Sequence, residues 1–240
     1  MSKAREKAIE VYTRTFGEPP WPIHIQFWDY IMDAPKGDII EVGSWRGQAG
    51  LIMACAAWAK GVKYISVDPY PTNEVAELAY PVDNLSIIKQ EFKRNVIDIF
   101  PEGHVTQYNC DILECKDLIS KNRYCLAYID GLHAYENCRR EFDILYPLVL
   151  DYGWVILDDT AGNLDEGRID GQDEGGVERL FREVYLTDKY FDKIEFNQYV
   201  AQAIGRKKKT NDLEFREEFR LNFLNRNEKM ERERKEREQH

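Results

Sequence analysis

Four residues near the middle of this 240-residue chain are of types that bind metal ions and move protons: Asp130, His133, Asp158 and Asp159. Asp130 and His133 follow the apolar run 124–129, and Asp158 and Asp159 close a second run, 154–157. Each run has the length and character of a buried parallel strand. Between them, residues 136–150 carry Phe142, Leu145, Tyr146 and Val149 at helical spacing. Strand, helix and strand make a right-handed crossover, so both strand ends reach one edge of a sheet, where open α/β sheets bind ligands. Three carboxylates and an imidazole gathered there form a hard-oxygen site for a divalent cation, with a candidate base beside it. Oxygen ligands fit Mg²⁺ better than zinc. Taken singly, each residue has a structural explanation: a strand-end Asp as helix cap or turn residue, Asp-Asp as a solvated turn, a lone His as a polar side chain at the surface. Convergence from two strand ends favours the chemical reading.

A second set of residues lies upstream. Residues 39–42 read as a buried strand, Gly43-Ser-Trp-Arg-Gly47 as a tight turn, and 49–60 as an apolar, Ala-rich helix. A second strand over 62–67 ends at Asp68. This is the nucleotide-binding βαβ layout, with Asp68 placed to accept two ribose hydroxyls. The loop is G-x-x-x-G, and Glu41 stands just before its first glycine. A carboxylate there repels the pyrophosphate of NAD or FAD. It suits instead the zwitterionic end and sulfonium of S-adenosylmethionine.

The remaining chain supplies positioning elements. Residues 3–16 read as a charged helix, the Pro-rich stretch 16–22 as a break, and 25–32 as a helix with Phe27, Trp28 and Ile31 on one side. Trp21 and Trp28 are expected to pack over the sheet; walling an acceptor pocket is the alternative. Residues 84–99 read as a helix with Ile88, Phe92 and Val96 on one face, in a connection that either covers the cofactor or packs on the sheet. Residues 105–108 form a third strand leading to Asp111. The Gly- and acid-rich stretch 160–176 reads as a lid or substrate loop, with functionless disorder as the alternative. A helix over 177–185 and two strands, 193–196 and 200–204, follow. Beyond these, Phe215, Phe219 and Phe223 mark a docked helix to about 225, and residues 228–240 a solvated end.

Composition narrows the function classes. The length suits one domain with a full core. The net charge is −10, and residues 1–205 hold 21 Lys and Arg against 34 Asp and Glu, a net −13. An acidic body argues against a nucleic-acid partner, although residues 206–209 form a short basic patch. Five cysteines without a C-x-x-C pattern read as reduced thiols of a cytoplasmic protein. No apolar segment has membrane-spanning length, so no membrane partner is expected.

Glu41-Val-Gly43-Ser-x-x-Gly47, Asp68 and Asn109-Cys-Asp111-Ile112 resemble the successive motifs of class I S-adenosylmethionine-dependent methyltransferases. The run 129–136 with residues 147–159 resembles the metal-dependent, macrocin-type O-methyltransferases, which methylate sugar hydroxyls; catechol-type enzymes are more distant. The resemblance covers residues 37–205. It implies an α/β fold: a Rossmann-like doubly wound seven-stranded sheet, mostly parallel, with a C-terminal antiparallel hairpin. Residues 1–36 would be an N-terminal helical segment, 37–205 the methyltransferase domain and 206–240 a charged tail. It implies Asp130, Asp158 and Asp159 as ligands of a Mg²⁺-like ion and His133 as general base. Glu41, Gly43, Gly47, Asp68 and Asp111 would hold the cofactor, Asp111 near the adenine amino group. Relatives often carry Glu or Asp in place of Asp158, and Arg-Pro-Gly-Gly is usual where this chain has Asp151-Tyr152-Gly153. The expected reaction methylates a hydroxyl of a small molecule, a sugar or other vicinal diol. A catechol or phenol acceptor and a non-catalytic cofactor-binding module are the alternatives, and homo-oligomerisation is left open.

Overall fold

The computed structural model describes residues 2–70, 85–160, 176–187, 189–197 and 202–209. Residues 161–175 of the expected 160–176 loop, residues 71–84 of the connection after β2, and the Phe215, Phe219, Phe223 stripe lie outside them. Residues 1–207 form one compact unit and 208–240 a second.

Helices α1 (Lys3–Phe16) and α2 (Pro22–Asp33) precede the sheet. Ser2 caps α1 by accepting the Arg5 amide at 3.3 Å, and Gly17 ends it in the left-handed conformation at φ 77°. Pro22 opens α2, where its missing N–H costs nothing. The chain then alternates β1 (Asp38–Val42), α3 (Gln48–Lys60), β2 (Tyr64–Val67), α4 (Leu85–Asn95), β3 (Val105–Tyr108), the short α5 (Lys116–Ile119) and β4 (Tyr124–Ile129). It continues with α6 (Tyr135–Leu145), β5 (Val149–Leu157), α7 (Gly176–Val184), β6 (Phe191–Asn197) and β7 (Gln202–Lys207).

The seven strands run in the order β3-β2-β1-β4-β5-β7-β6. β1 to β5 pair in parallel, and β7 lies antiparallel to both β5 and β6. The order reverses direction between β1 and β4, which is where such sheets open a ligand crevice. This is the doubly wound sheet with an antiparallel terminal pair that the motifs imply.

Residues 136–150 do not form one helix. Pro147 cannot continue the α6 ladder, so α6 ends at Leu145 and a 3-10 turn follows at Tyr146–Leu148. β5 therefore starts at Val149, ahead of the apolar run from Trp154. Tyr152, at φ 65°, kinks it beside Gly153, where any Cβ would sit 2.9 Å from the Cys125 carbonyl oxygen.

α1 and α2 pack on α3 in one cluster with the sheet, in which Tyr12, Phe27, Ile31, Leu126, Tyr128 and Trp154 are buried. Trp28 is buried there, whereas Trp21 is 56% exposed. Phe142, Tyr146, Tyr190 and Phe191 form a second aromatic cluster at centroid separations of 5.2–6.4 Å.

Candidate active site

Backbone ladders set the heights of the strand ends. The Gly43 amide donates to the Val67 carbonyl, Asp68 to Tyr108, Asp130 to Val42 and Asp158 to Ile129, at 2.9–3.0 Å. Each residue is the first beyond its strand, so all four stand level along the carboxyl edge.

The glycine loop joins β1 to α3 at this edge. Gly43 has φ 83°, and a Cβ on it would lie 1.9 Å from the Asp130 carbonyl oxygen. Only glycine fits so close an approach. Gly47, at φ 86°, caps α3 without any side-chain acceptor, which leaves a helix N-terminus facing the edge. Asp68 receives three backbone donors: Ser44 and Trp45 amides on Oδ2 at 2.9 and 3.0 Å, and the Tyr70 amide on Oδ1 at 2.9 Å. Asn95 adds a bond to the Arg46 carbonyl, and the Tyr70 hydroxyl one to the Trp45 carbonyl. Burial raises the Asp68 carboxyl above its usual range, and the three amides oppose that rise.

Glu41 points inward. Its carboxyl lies under Gly50 of α3, accepts the Tyr64 hydroxyl proton and is 1% exposed; burial pushes it up to about 8. Asp111 sits in the turn after β3, accepting the Leu113 amide at 2.8 Å and facing Arg140 at 3.4 Å. It remains well exposed.

At β4 and β5 the structure draws three of the four chemical residues together. His133 Nε2 lies 3.3 Å from Asp159 Oδ2 and 4.0 Å from Asp130 Oδ1. Asp130, His133 and Asp159 each present a ligand atom within 4.8 Å of the others. Burial pushes the Asp130 carboxyl up to about 7, and Asp158 and Asp159 push it further the same way, against His133. His133 is raised chiefly by the facing Asp130. Such mutual crowding of acids is what a bound divalent cation relieves, so the donor set fits one. Asp158 is placed differently: its Oδ2 accepts from the Tyr128 hydroxyl and its Oδ1 from the Asp159 amide at 2.9 Å.

Three residues at the site are outside the motif reading. The Tyr128 hydroxyl lies between Asp158 and Asp130, 3.3 Å from the latter, and Gln202 donates to it at 3.4 Å. Glu141 of α6 is buried beneath Gly131, whose Cβ would meet its Oε1 at 2.5 Å. Two of these carried a signal: Tyr128 is a polar-tipped residue two before Asp130 on one strand face, and Glu141 is an acid at an inward helix position.

Comparison with known proteins decides the family. The methyltransferase-domain family model matches residues 40–160, half of the chain, from the middle of β1 to just past Asp159. This chain belongs to the methyltransferase-domain family. None of the curated proteins compared matches it significantly. Among solved structures, a Staphylococcus aureus protein named as a caffeoyl-CoA O-methyltransferase is 16% identical, with a TM-score of 0.58 over 86% of this chain and 93% of its own. The O-methyltransferase TomG of Streptomyces achromogenes, solved with S-adenosylmethionine, is 12% identical, with a TM-score of 0.52 over 87% and 91%. The TDP-rhamnose 3'-O-methyltransferase CalS11 of calicheamicin biosynthesis is 16% identical, with a TM-score of 0.50 over 88% and 96%. At these identities the likeness is one of fold: the methyltransferase shares the sheet and helix arrangement of S-adenosylmethionine-dependent O-methyltransferases. Among its described residues no helix is long and apolar enough to cross a membrane.

Proposed function

We propose that this methyltransferase transfers a methyl group from S-adenosylmethionine to a hydroxyl oxygen of a small molecule, in a reaction that depends on a divalent cation. The observation that carries the reading is the convergence of Asp130, His133 and Asp159 within 4.8 Å, at the same edge as the glycine loop. Gly43 and Gly47 would give the cofactor backbone access, Asp68 with Glu41 beneath would shape the loop around it, and Asp111 would face its adenine. Bound there, S-adenosylmethionine supplies an electrophilic methyl on a sulfonium. Asp130 and Asp159, backed by Asp158, would hold a Mg²⁺-like ion, which would supply Lewis acidity that makes an alcohol acidic near neutrality. His133 takes the proton from the acceptor hydroxyl, and the resulting imidazolium is stabilised by the carboxylates 3.3 and 4.0 Å away.

A cation that orients the acceptor through two oxygens selects vicinal diols. The macrocin-type motifs and the CalS11 fold favour a sugar; the caffeoyl-CoA-named neighbour supports a catechol as the second reading. The test is transfer of labelled methyl to sugar-nucleotide and catechol panels, with Mg²⁺ and after EDTA. Transfer to a diol that chelation abolishes and Mg²⁺ restores is expected. Full turnover in metal-free enzyme overturns the cation requirement, and failure to bind S-adenosylhomocysteine overturns the cofactor.

A further inference from the structure

We propose that Gln202, Tyr128 and Asp158 form a buried hydrogen-bond relay that holds Asp159 in position to bind the cation, with Tyr128 as its central positioning residue. The inference rests on the cation-dependent reading above and assigns work to two side chains, Tyr128 and Gln202, that take no part in it.

Tyr128 is on β4, Asp158 follows β5 and Gln202 opens β7, and these three strands are neighbours in the sheet. Tyr128 is 2% exposed, and its ring packs on Phe27 of α2 with centroids 4.9 Å apart, so its hydroxyl has little freedom to swing. A phenol has one proton to give and an oxygen to receive. Gln202, also 2% exposed, donates its side-chain N–H to that oxygen at 3.4 Å. With that lone pair occupied, the Tyr128 proton has two acceptors in reach, Asp130 Oδ2 at 3.3 Å and the nearer Asp158 Oδ2, which is the better placed to take it. Asp158 Oδ1 in turn accepts the Asp159 amide at 2.9 Å.

The last link acts on an unfavourable backbone. Asp159 has φ 52°, in the left-handed region that residues with a Cβ adopt uncommonly, Asp more readily than most. From that conformation its carboxylate meets His133 and Asp130. Both Asp158 oxygens are engaged in this way, so Asp158 couples a rigid core tyrosine to the exposed ligand next to it. A hydrogen-bonded layer behind metal ligands commonly sets their orientation.

The test uses the full chain and Mn²⁺ alone, with free Mn²⁺ followed by electron paramagnetic resonance. Tyr128→Phe preserves the ring and its packing and removes the hydroxyl. It should weaken Mn²⁺ binding by about 10–100-fold, the usual effect of losing such a supporting partner. Affinity for S-adenosylhomocysteine and the melting temperature should stay near wild type, which a merely structural role would not allow. Gln202→Leu should weaken Mn²⁺ binding by a smaller factor, and the double variant should lose at least as much as Tyr128→Phe, because Gln202 hydrogen-bonds to both Tyr128 and Asp158. Unchanged Mn²⁺ affinity in Tyr128→Phe overturns the relay, as does a parallel loss of cofactor affinity. Should that variant fail to fold, unchanged Mn²⁺ affinity in Gln202→Leu overturns it equally. Absence of Mn²⁺ binding by the wild type is a separate outcome that removes the cation reading itself.

Discussion

At the residue scale, His133 carries the most chemistry. Its ring is held between Asp130 and Asp159, which stabilise its protonated form and fix where Nε2 points. An imidazole so placed is suited to base work near neutrality. His133→Ala should slow the methyl-transfer step by roughly 10²–10⁴-fold, the usual contribution of a positioned base. Single-turnover measurement with saturating cofactor checks this, alongside a Mn²⁺ titration of the same variant. Normal transfer removes His133 from the mechanism; intact transfer chemistry with lost Mn²⁺ affinity makes it a ligand instead.

Between elements, the decisive contact is Asp68, which ties the end of β2 to the loop joining β1 and α3. Its carboxylate accepts the amides of Ser44, Trp45 and Tyr70, so it fixes the loop before any cofactor arrives. Removing a buried acceptor strands its donors, at a cost of about 1–3 kcal/mol. Asp68→Ala should therefore lower both stability and cofactor affinity. Denaturant unfolding and calorimetry with S-adenosylhomocysteine, run on one preparation, separate the two effects. Weakened cofactor binding with unchanged stability would show Asp68 to be a ligand and not a loop anchor.

For the whole molecule, buried acids set the response to pH. Burial pushes Glu41 and Glu141 up to about 8, and Asp130 up to about 7. In the unfolded chain such carboxyls titrate near 4. The folded state thus binds more protons between these values, and stability must fall as pH rises across that window. The contribution is fully present below about pH 4 and lost on passing pH 7–8. Glu141 is the cleanest probe, because its Oε2 is buried without a hydrogen-bond partner among the described residues. In metal-free buffer the wild type should melt at lower temperature at pH 8.5 than at pH 5.5, and Glu141→Gln should lose less over the same interval. An equal loss in both proteins refutes the assignment.

The sequence by itself determined the alternation of elements and the edge where chemistry is done. Apolar runs of strand length ending in Asp68, Asp130 and Asp158 can be read without coordinates, because a parallel strand buried on both faces must be apolar until it leaves the sheet. Crossover handedness then sends those ends to one side. Gly43 was legible as a loop glycine, though its reason, contact with the Asp130 carbonyl, is a distance between two strands. Tertiary structure alone decided what each side chain faces. Asp158 and Asp159 are adjacent and identical in type, yet one turns to Tyr128 and the other to His133, since Asp159 takes a left-handed backbone. Trp21 and Trp28 look equivalent in sequence, yet packing on α3 and the sheet buries only Trp28. Side-chain partners depend on atoms brought together from distant segments, and no local pattern of residue types encodes those distances.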